Sequence, residues 1–314
     1  MKALLFTAHG GPEVLTVGDI PAPHAGPGQV RIAVRAAGVS PADDAVRSGA
    51  FKNIPLPYVV GLDAAGTVDE IGPGVDGVRL GDEVYGIRPA GATTAEHAVL
   101  DLWAAKPAAW TWPQAGGAAA AVATATHALT ELRVRANTTL LLDGASGGVG
   151  AVAVQLAVAR GARVIGTASP ANHAFLRDLG AEPVAYGPGL AGRIGTRVDA
   201  ALDVGGHGEV RALVALTGGP ATVRTLVARN AVHGVELLRV DPAGVPAALA
   251  AAGRLAEAGR LAIPVAAEYA LTEGPAAHAR IATGHARGKV VITVCGAGKS
   301  PKRQKHSEKA PECR

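Results

Sequence analysis

Three glycines spaced three residues apart mark the part of this chain best suited to holding a phosphate group. Residues 140–157, LLLDGASGGVGAVAVQLA, pass from an apolar run through Gly144, Gly147 and Gly150 into small apolar residues at helical spacing. Glycine serves where a turn needs a positive φ, where the backbone approaches a pyrophosphate, and where a helix packs on a strand. The N-terminal amides of the following helix would face the bend and favour an anion. The pattern predicts a dinucleotide-binding loop, with a merely tight turn as the alternative.

The residues after the next predicted strand indicate which dinucleotide this loop would bind. An NADH site places Asp or Glu about twenty residues further along, where the carboxylate accepts hydrogen bonds from the ribose hydroxyls. The stretch VIGTASPANHAFLRD, residues 164–178, has no acidic side chain before its last residue. It supplies hydrogen-bond donors and potential positive charge instead, from Thr167, Ser169, Asn172, His173 and Arg177. Because a carboxylate would repel a 2′-phosphate and these side chains would accept it, we expect NADPH, although His173 and Arg177 also suit a solvated helix face.

The predicted secondary structure changes near Gly116. Residues 1–118 carry short β-branched runs bounded by Gly, Pro or Asp, which predict an antiparallel sheet or barrel. Residues 119–245 alternate short apolar strands with helices, which is typical of a doubly wound parallel sheet. Residues 246–298 contain helical stretches and a closing strand, and we expect them to return to the first domain.

Composition favours a soluble globular protein. Of the 314 residues, 48% are hydrophobic and 18% are charged. We expect no membrane association, because no stretch offers ~18 uninterrupted apolar residues. The first residues, MKALLFTAHGG, have too short an apolar run for a signal peptide, so we expect a cytoplasmic location.

The net charge of +4 comes from the C-terminal end. Residues 299–314 hold six of the 30 Lys and Arg and two of the 26 Asp and Glu, which leaves 24 of each elsewhere. This polar segment predicts a disordered basic tail, and we expect no nucleic-acid partner. The two cysteines, Cys295 and Cys313, are too few for a four-cysteine zinc site.

The chain resembles the medium-chain dehydrogenase/reductases, in their zinc-independent quinone oxidoreductase-like branch. The resemblance extends from Met1 to Val294 and rests on motifs that include GVSPADDAVRSGAF, PLPYVVGLDAAGTV, GDEVYG, TATHAL, GASGGVGAVAVQLA, VDAALDVGG and ARGKVVITV. It implies an α/β protein with a GroES-like β-barrel catalytic domain plus a Rossmann domain that binds NADPH. It also implies a small-molecule substrate, a quinone or an enone, in the cleft between the domains, and a homodimer in which the strand KVVITV takes part.

The resemblance also bears on metal binding. Metal-dependent relatives carry Cys in the first motif and Gly-His-Glu in the second, where this chain has Ser40 and Gly61-Leu62-Asp63. Because a catalytic zinc needs about three protein ligands, we expect no metal. Hydride transfer without a metal suits an acceptor that delocalises its own negative charge, such as a quinone or an α,β-unsaturated carbonyl.

The resemblance implies contacts with NADPH from several parts of the chain. In the glycine loop they are Gly144, Ser146, Gly147, Gly148, Val149 and Gly150, with Gly147 to Val149 against the pyrophosphate. The nicotinamide would be approached by Thr124, Thr225, Leu226 and Val227. Tyr186 would lie by the adenosine end, and Val204 and Gly205 would border the cofactor. Arg287 and Lys289 belong to the closing motif, and for Lys289 a plain surface strand position is the alternative.

Three residues are candidates for work on the substrate. Ser40 stands where relatives usually have Asn, and Asp44 where they often have an aromatic residue. Tyr58 could donate its phenolic hydrogen to a carbonyl. The alternatives are a helix N-terminal acid for Asp44 and an amphipathic core tyrosine for Tyr58.

These residues favour an NADPH-dependent reductase of quinones or activated double bonds. A tailoring enoyl reductase or reductive cyclase of a biosynthetic pathway is the second hypothesis, and the altered residues at 40 and 44 suit a specialised substrate. A non-catalytic NADPH-binding sensor or structural protein is the third.

Overall fold

The computed structural model describes residues 1–51, 53–207, 209–284 and 286–294. The predicted basic tail, residues 299–314, lies outside the described residues, as do both cysteines.

Sixteen strands and nine helices occur in the described part of the chain. The strands are β1 (Lys2–Phe6), β2 (Thr16–Asp19), β3 (Val30–Val39), β4 (Tyr58–Val59), β5 (Asp63–Ile71), β6 (Glu83–Ile87), β7 (His97–Leu100), β8 (Leu102–Ala105), β9 (Thr139–Asp143), β10 (Arg163–Ala168), β11 (Glu182–Ala185), β12 (Ala200–Asp203), β13 (Val223–Thr225), β14 (Glu236–Leu237), β15 (Val265–Ala270) and β16 (Lys289–Thr293). The α-helices are α1 (Pro41–Arg47), α2 (Trp112–Gly116), α3 (Ala119–Glu131), α4 (Gly148–Ala159), α5 (His173–Asp178), α6 (Leu190–Ile194), α7 (Val210–Thr217), α8 (Val245–Glu257) and α9 (Gly274–Ala282). Short 3-10 turns link several of them.

The chain forms two compact units. The first comprises Met1–Ala120 with the described residues of Val265–His285 and Lys289–Arg314, and the second comprises Ala121–Pro264 and Ala286–Gly288. The sequence boundary expected at 245/246 therefore differs from the structure, which keeps residues 246–264 in the second unit. Two hydrogen bonds at 2.9 Å hold the end of this segment to the second unit, joining the side-chain amide of Gln155 on α4 to the backbone of Ala262.

The first unit is mostly antiparallel. One sheet has the order β2-β1-β4, and a seven-stranded sheet has the order β15-β16-β3-β5-β6-β8, with β7 also paired to β3. Within β3, Val30, Ile32 and Val34 are buried while the residues between them are partly exposed. Burial of every second residue is the pattern of a strand with one covered face. A shift of one residue would turn these apolar side chains to the uncovered face, so the sequence dictates the register.

The second unit is a six-stranded parallel sheet with the order β11-β10-β9-β12-β13-β14. The three central residues of strand β9, Leu140, Leu141 and Leu142, are apolar and buried, as expected for a strand covered on both faces. Helix α7 packs Val210, Leu213 and Leu216 onto side chains from β9, β10, β12 and β13. From β9 the strand order runs through β10 to β11 on one side, and β12 to β14 follow on the other side of β9. Parallel sheets leave a crevice for ligands at such a switch point, here between β9 and β12.

Within the described ranges, every helix is too short or too polar to cross a bilayer.

One buried histidine in the first unit bears on acid stability. His278 of α9 is 1% exposed, and its Nδ1 has no hydrogen-bond partner among the described residues. Burial, assisted by the nearby positive charge of Arg47, lowers the pKa of His278 to about 4. The folded protein therefore holds this imidazole neutral.

We predict that acid weakens the fold through His278. The unfolded chain takes up this proton near pH 6.5 and the folded chain only near pH 4, so the free energy of unfolding should fall as the pH drops between these values. The loss from this group reaches about 3 kcal/mol at the acid end. Denaturant titrations from pH 7 to pH 4 should show a flatter pH dependence for His278→Leu. His24→Gln, at an exposed histidine, is the control, and an unaltered slope in His278→Leu would contradict the assignment.

Candidate functional site

The glycine loop joins β9 to α4 in the second unit. Gly144 has a φ of +83°, and a Cβ on it would lie 2.5 Å from the Cα of Gly205. Gly150 lies in the first turn of α4, where a Cβ would lie 2.3 Å from the carbonyl oxygen of Gly144. Both positions therefore need glycine for the turn and for the packing of helix on loop.

Gly147 differs from these two glycines. It is the N-cap residue of α4 with a φ of −76°, and the nearest atom to a Cβ placed there is the Gly144 carbonyl oxygen at 3.5 Å. Neither backbone strain nor crowding within the protein requires glycine here. Its missing side chain leaves an open cradle at the N-terminus of a twelve-residue helix, where the first-turn amides of Gly148 and Val149 lack intrahelical acceptors. Such a cradle fits a pyrophosphate.

Residues 286–288 lie beside this loop. The amide of Gly288 donates to the carbonyl of Ser146 at 3.0 Å, and Gly288 forms a parallel bridge with Gly147. The guanidinium of Arg287 stacks over Phe175, 5.4 Å from the ring centroid. The backbone of Gly288 therefore lies against the glycine loop, while the Arg287 side chain packs on Phe175 of α5, and its contact with a cofactor stays a prediction.

Two buried carboxylates hold the carboxyl edge of the parallel sheet. Asp143, the last residue of β9, is 1% exposed and accepts from the hydroxyl of Thr167 and from the His207 ring. Asp203, the last residue of β12, is also 1% exposed and accepts from the Gly206 amide at 2.9 Å. It also accepts from Thr225 at 2.8 Å and from Asn230 at 2.7 Å.

Two predicted cofactor contacts occupy structural positions. The hydroxyl of Thr167 is fully buried, donates to Asp143 and accepts from the Gly144 amide at 3.0 Å. The hydroxyl of Thr225 is fully buried as well, donating to Asp203 and accepting from the Val227 amide at 3.0 Å. These bonds fasten the loops and engage both hydroxyls within the second unit, so a contact of either residue with a cofactor stays a prediction.

The other donors after β10 are accessible. Ser169 and His173 are partly exposed, and the His173 Nε2 lies 3.3 Å from the Ala168 carbonyl. The Asn172 amide donates to the Ser146 hydroxyl at 3.3 Å, which places both side chains beside the glycine loop. No carboxylate terminates β10.

The remaining predicted contacts of the second unit are partly or fully accessible. Val204, Leu226 and Val227 are partly exposed and Gly205 is exposed. Thr124 lies on α3 and is partly exposed. Tyr186 is 38% exposed and stacks on His207, with ring centroids 4.2 Å apart and an interplanar angle of 2°.

In the first unit, Ser40 and Asp44 both belong to the start of α1. The Ser40 hydroxyl donates to Asp43 at 2.7 Å, and the Ser40 amide donates to the same carboxylate at 2.8 Å. Asp44 pairs with the buried guanidinium of Arg47. Both side chains therefore contribute to the structure of α1, which for Asp44 matches the alternative of a helix N-terminal acid.

Tyr58 of β4 is partly buried, and its hydroxyl donates to the Ala90 carbonyl at 3.4 Å. Burial, and then the negative charge of Asp43, raise the pKa of the Tyr58 phenol. The group therefore keeps its proton near neutral pH and can act as a neutral donor.

Lys289 does not occupy the surface strand position that was the alternative for it. It is 5% exposed, and its Nζ lies 3.7 Å from Asp63, which is itself fully buried. The other contact of this Asp63 oxygen is the Ala120 amide at 3.3 Å. Burial raises the pKa of Asp63, and the positive charge of Lys289 opposes that rise. Within the first unit, Lys289 therefore serves as the counter-ion of a buried acid.

Several of these polar residues were not singled out from the sequence, namely Asp143, Asp203, His207, Asn230 and Asp43. The two aspartates carried a usable signal, because each is the one charged residue that ends an otherwise apolar parallel strand. His207 carried none, since its partner precedes it by 64 residues.

Among the described residues, no three His, Cys, Asp or Glu side chains are grouped so that they could hold a metal ion.

Comparisons with known proteins bear on the family. Residues 26–134 match the family described as alcohol dehydrogenase GroES-like domain, and residues 171–292 match that described as zinc-binding dehydrogenase. The structure of the quinone oxidoreductase from Coxiella burnetii superposes with a TM-score of 0.82 at 31% identity, covering 94% of this chain and 99% of that one. The chain belongs to the medium-chain dehydrogenase/reductase superfamily. It lies in the quinone oxidoreductase-like branch, and the predicted GroES-like and Rossmann domains are confirmed.

Two curated relatives of this medium-chain dehydrogenase/reductase match about half of the chain. Polyketide synthase GfsB of Streptomyces halstedii is 44% identical over 156 residues, which are 49% of this chain and 3% of that protein. The NADPH-dependent alkenal/one oxidoreductase of Arabidopsis thaliana is 36% identical over 197 residues, which are 58% of this chain and 51% of that protein. The matched region thus spans at most about half the length of these two relatives.

We predict that Gly147→Val separates ligand binding from folding. The new side chain meets little within the protein, so the melting temperature of the free protein should change little. It would fill the cradle at the start of α4, and a loss of about 2–3 kcal/mol would weaken NADPH binding roughly 30- to 150-fold. Cofactor titration and thermal melting on the same variant provide the measurement.

Gly150→Ala is the matched control, because its Cβ collides with the Gly144 carbonyl and should lower the melting temperature. If Gly147→Val melts far below the parent yet binds NADPH normally, Gly147 serves the turn and not the ligand.

Proposed function

We propose that this protein is an NADPH-dependent reductase that transfers hydride to a quinone or an α,β-unsaturated carbonyl without a metal. The observation that carries the proposal is the open cradle at Gly147, at the N-terminus of α4 and the carboxyl edge of a parallel sheet. The likeness to the Coxiella burnetii quinone oxidoreductase supports the class of acceptor.

The preference for NADPH over NADH rests on the end of β10. The strand ends at Ala168 and is followed by Ser169, so no carboxylate stands where it would accept from ribose hydroxyls and repel a 2′-phosphate. Asn172 and His173 lie close by and offer hydrogen-bond donors. The printed name of the Arabidopsis relative, an NADPH-dependent enzyme, agrees with this assignment.

Bound nicotinamide would supply the hydride, and the protein would have to support the charge that develops on the acceptor oxygen. Tyr58 suits this task, because its phenol stays protonated and can donate a hydrogen bond from Oη to an enolate or a phenolate oxygen. The Ser40 hydroxyl donates its one hydrogen to Asp43, so we assign Ser40 to positioning Asp43 and not to donating to the acceptor oxygen. Asp44 is engaged with Arg47, so we assign it no proton transfer.

The second candidate function is an enoyl reductase or reductive cyclase of a biosynthetic pathway. The observation in its favour is the 44% identity to a segment of polyketide synthase GfsB. The two functions share the hydride donor and differ in the acceptor, which would be an enoyl thioester in place of a quinone.

The cofactor preference makes a direct prediction. NADPH should bind at least about tenfold more tightly than NADH, equivalent to ~1.4 kcal/mol. Ser169→Asp places a carboxylate at the end of β10 and should narrow or reverse that ratio. Equal affinity of the parent protein for the two cofactors, measured by equilibrium titration, would remove the basis of the preference.

The substrate class is tested by measuring NADPH oxidation with quinones, 2-alkenals, cyclic enones and enoyl thioesters as acceptors. The protein is first treated exhaustively with a chelator. We expect turnover of quinones or enones, and Tyr58→Phe should lower kcat by about tenfold or more because one donor to the developing oxyanion is lost. Turnover of enoyl thioesters alone would select the second function. Loss of all activity on chelation, with one zinc per chain before it, would contradict the metal-free assignment.

A further inference from the structure

Two aromatic rings meet above the carboxyl edge of the parallel sheet. Tyr186 follows β11 and His207 follows β12, and these strands are separated in the sheet by β10 and β9. The rings nevertheless stack in parallel, with centroids 4.2 Å apart. His207 is therefore held over the ends of the two intervening strands, β10 with Thr167 and β9 with Asp143.

The His207 ring also lies against the glycine loop. A Cβ on Gly205 would lie 2.5 Å from the His207 Cε1 and 2.9 Å from the Cα of Gly144. The Nδ1 of His207 lies 3.2 Å from each carboxylate oxygen of Asp143, the residue immediately before Gly144. The Asp143–His207 pair is thus part of the loop's immediate surroundings.

Asp143 is needed by the loop for a structural reason. Its carboxylate accepts from the Thr167 hydroxyl, which in turn accepts from the Gly144 amide. These bonds hold the first glycine to the end of β10. The same carboxylate, however, places a negative charge at the foot of a loop built to receive an anion, and like charges repel strongly where water is excluded.

The groups that face His207 favour the protonated form of its ring. Hydrogen bonding to Asp143 raises the pKa of the imidazole, and Asp203 adds to the rise while burial and Arg229 oppose it. Burial opposes ionisation of Asp143, but hydrogen bonds from His207 and Thr167 outweigh it and lower the pKa of that carboxyl. The contact between the two side chains therefore favours a carboxylate on Asp143 and an imidazolium on His207.

We propose that His207 is a positioning residue for the dinucleotide, whose imidazolium neutralises Asp143 so that the glycine loop can accept a pyrophosphate. This inference rests on the proposed function, since it concerns the same cofactor site. It explains how a buried acid can stabilise the loop's backbone without repelling the ligand, and it places a protonated ring beside the cofactor's path.

The inference sets the direction of the pH dependence of binding. Above the folded-state pKa of His207 the imidazole loses its proton, and the Asp143 charge is no longer compensated. NADPH affinity should therefore fall as the pH rises through that value. Because the unfolded chain has a lower pKa for this group, the free energy of unfolding should fall over the same interval.

His207→Gln is the direct test, because glutamine can still donate to Asp143 but carries no charge. We expect the NADPH dissociation constant, measured by equilibrium fluorescence titration, to rise about tenfold at pH 6.5. Asp143→Asn combined with His207→Gln removes the carboxylate as well and should restore affinity to within about threefold of the parent. The parent's affinity should decrease from pH 6.5 to 8.5, and the double variant should lack that component.

The matched control is His233→Asn, at a histidine whose Nε2 accepts from Arg211 far along the chain from the loop. It should leave both the affinity and its pH profile unchanged. Normal binding by His207→Gln, or a double variant no better than the single one, would overturn the inference and would indicate a simple stacking role. A parent protein that binds no NADPH overturns the proposed function itself, whereas a parent that binds and a His207→Gln that binds equally well overturns only this inference.

Discussion

The second unit depends on buried carboxylates at the ends of parallel strands. Asp143 and Asp203 each close an apolar strand and accept hydrogen bonds from the loops that leave the sheet. A buried carboxylate is costly unless its oxygens are fully partnered, so each acid forces several neighbouring groups into fixed positions. The glycine loop inherits its shape from this requirement, since Thr167 links Asp143 to the Gly144 amide.

The first unit also contains two buried carboxylates, Asp43 and Asp63, whose charges are stabilised by other groups. Asp43 is satisfied by the Ser40 amide and hydroxyl and by the Gly61 amide at 3.0 Å, so hydrogen bonds stabilise its charge. Burial nevertheless raises the pKa of Asp43. Asp63 instead relies on Lys289 as counter-ion and on the Ala120 amide. Removing one partner of such a buried set costs more than the contact itself, because the other is left unpaired.

The three glycines of the loop illustrate how one motif combines two requirements. Gly144 and Gly150 are dictated by the protein's own geometry, through a positive φ and close backbone contacts. Gly147 has neither constraint, because a Cβ there would meet only the Gly144 carbonyl oxygen, at 3.5 Å. Its lack of a side chain leaves the N-terminus of α4 open, which is the basis of the phosphate contact proposed above.

The sequence by itself determined the alternation of elements and hence the fold. Apolar strands alternating with helices predicted the parallel sheet. Short β-branched runs bounded by Gly, Pro or Asp predicted strands such as β3, and the spacing of the glycines located the loop. These patterns are local, so they can be read without knowing the partners. The absence of an acid after β10 was equally visible in the linear chain.

Only the tertiary structure decided which polar groups meet. It turned Thr167 and Thr225 inward to Asp143 and Asp203, buried Lys289 against Asp63, and assigned residues 246–264 to the second unit. It also joined His207 to an aspartate 64 residues earlier and stacked it on Tyr186. Such pairings depend on the order of strands in the sheet, because strands adjacent in space are distant in sequence. No local pattern records that order.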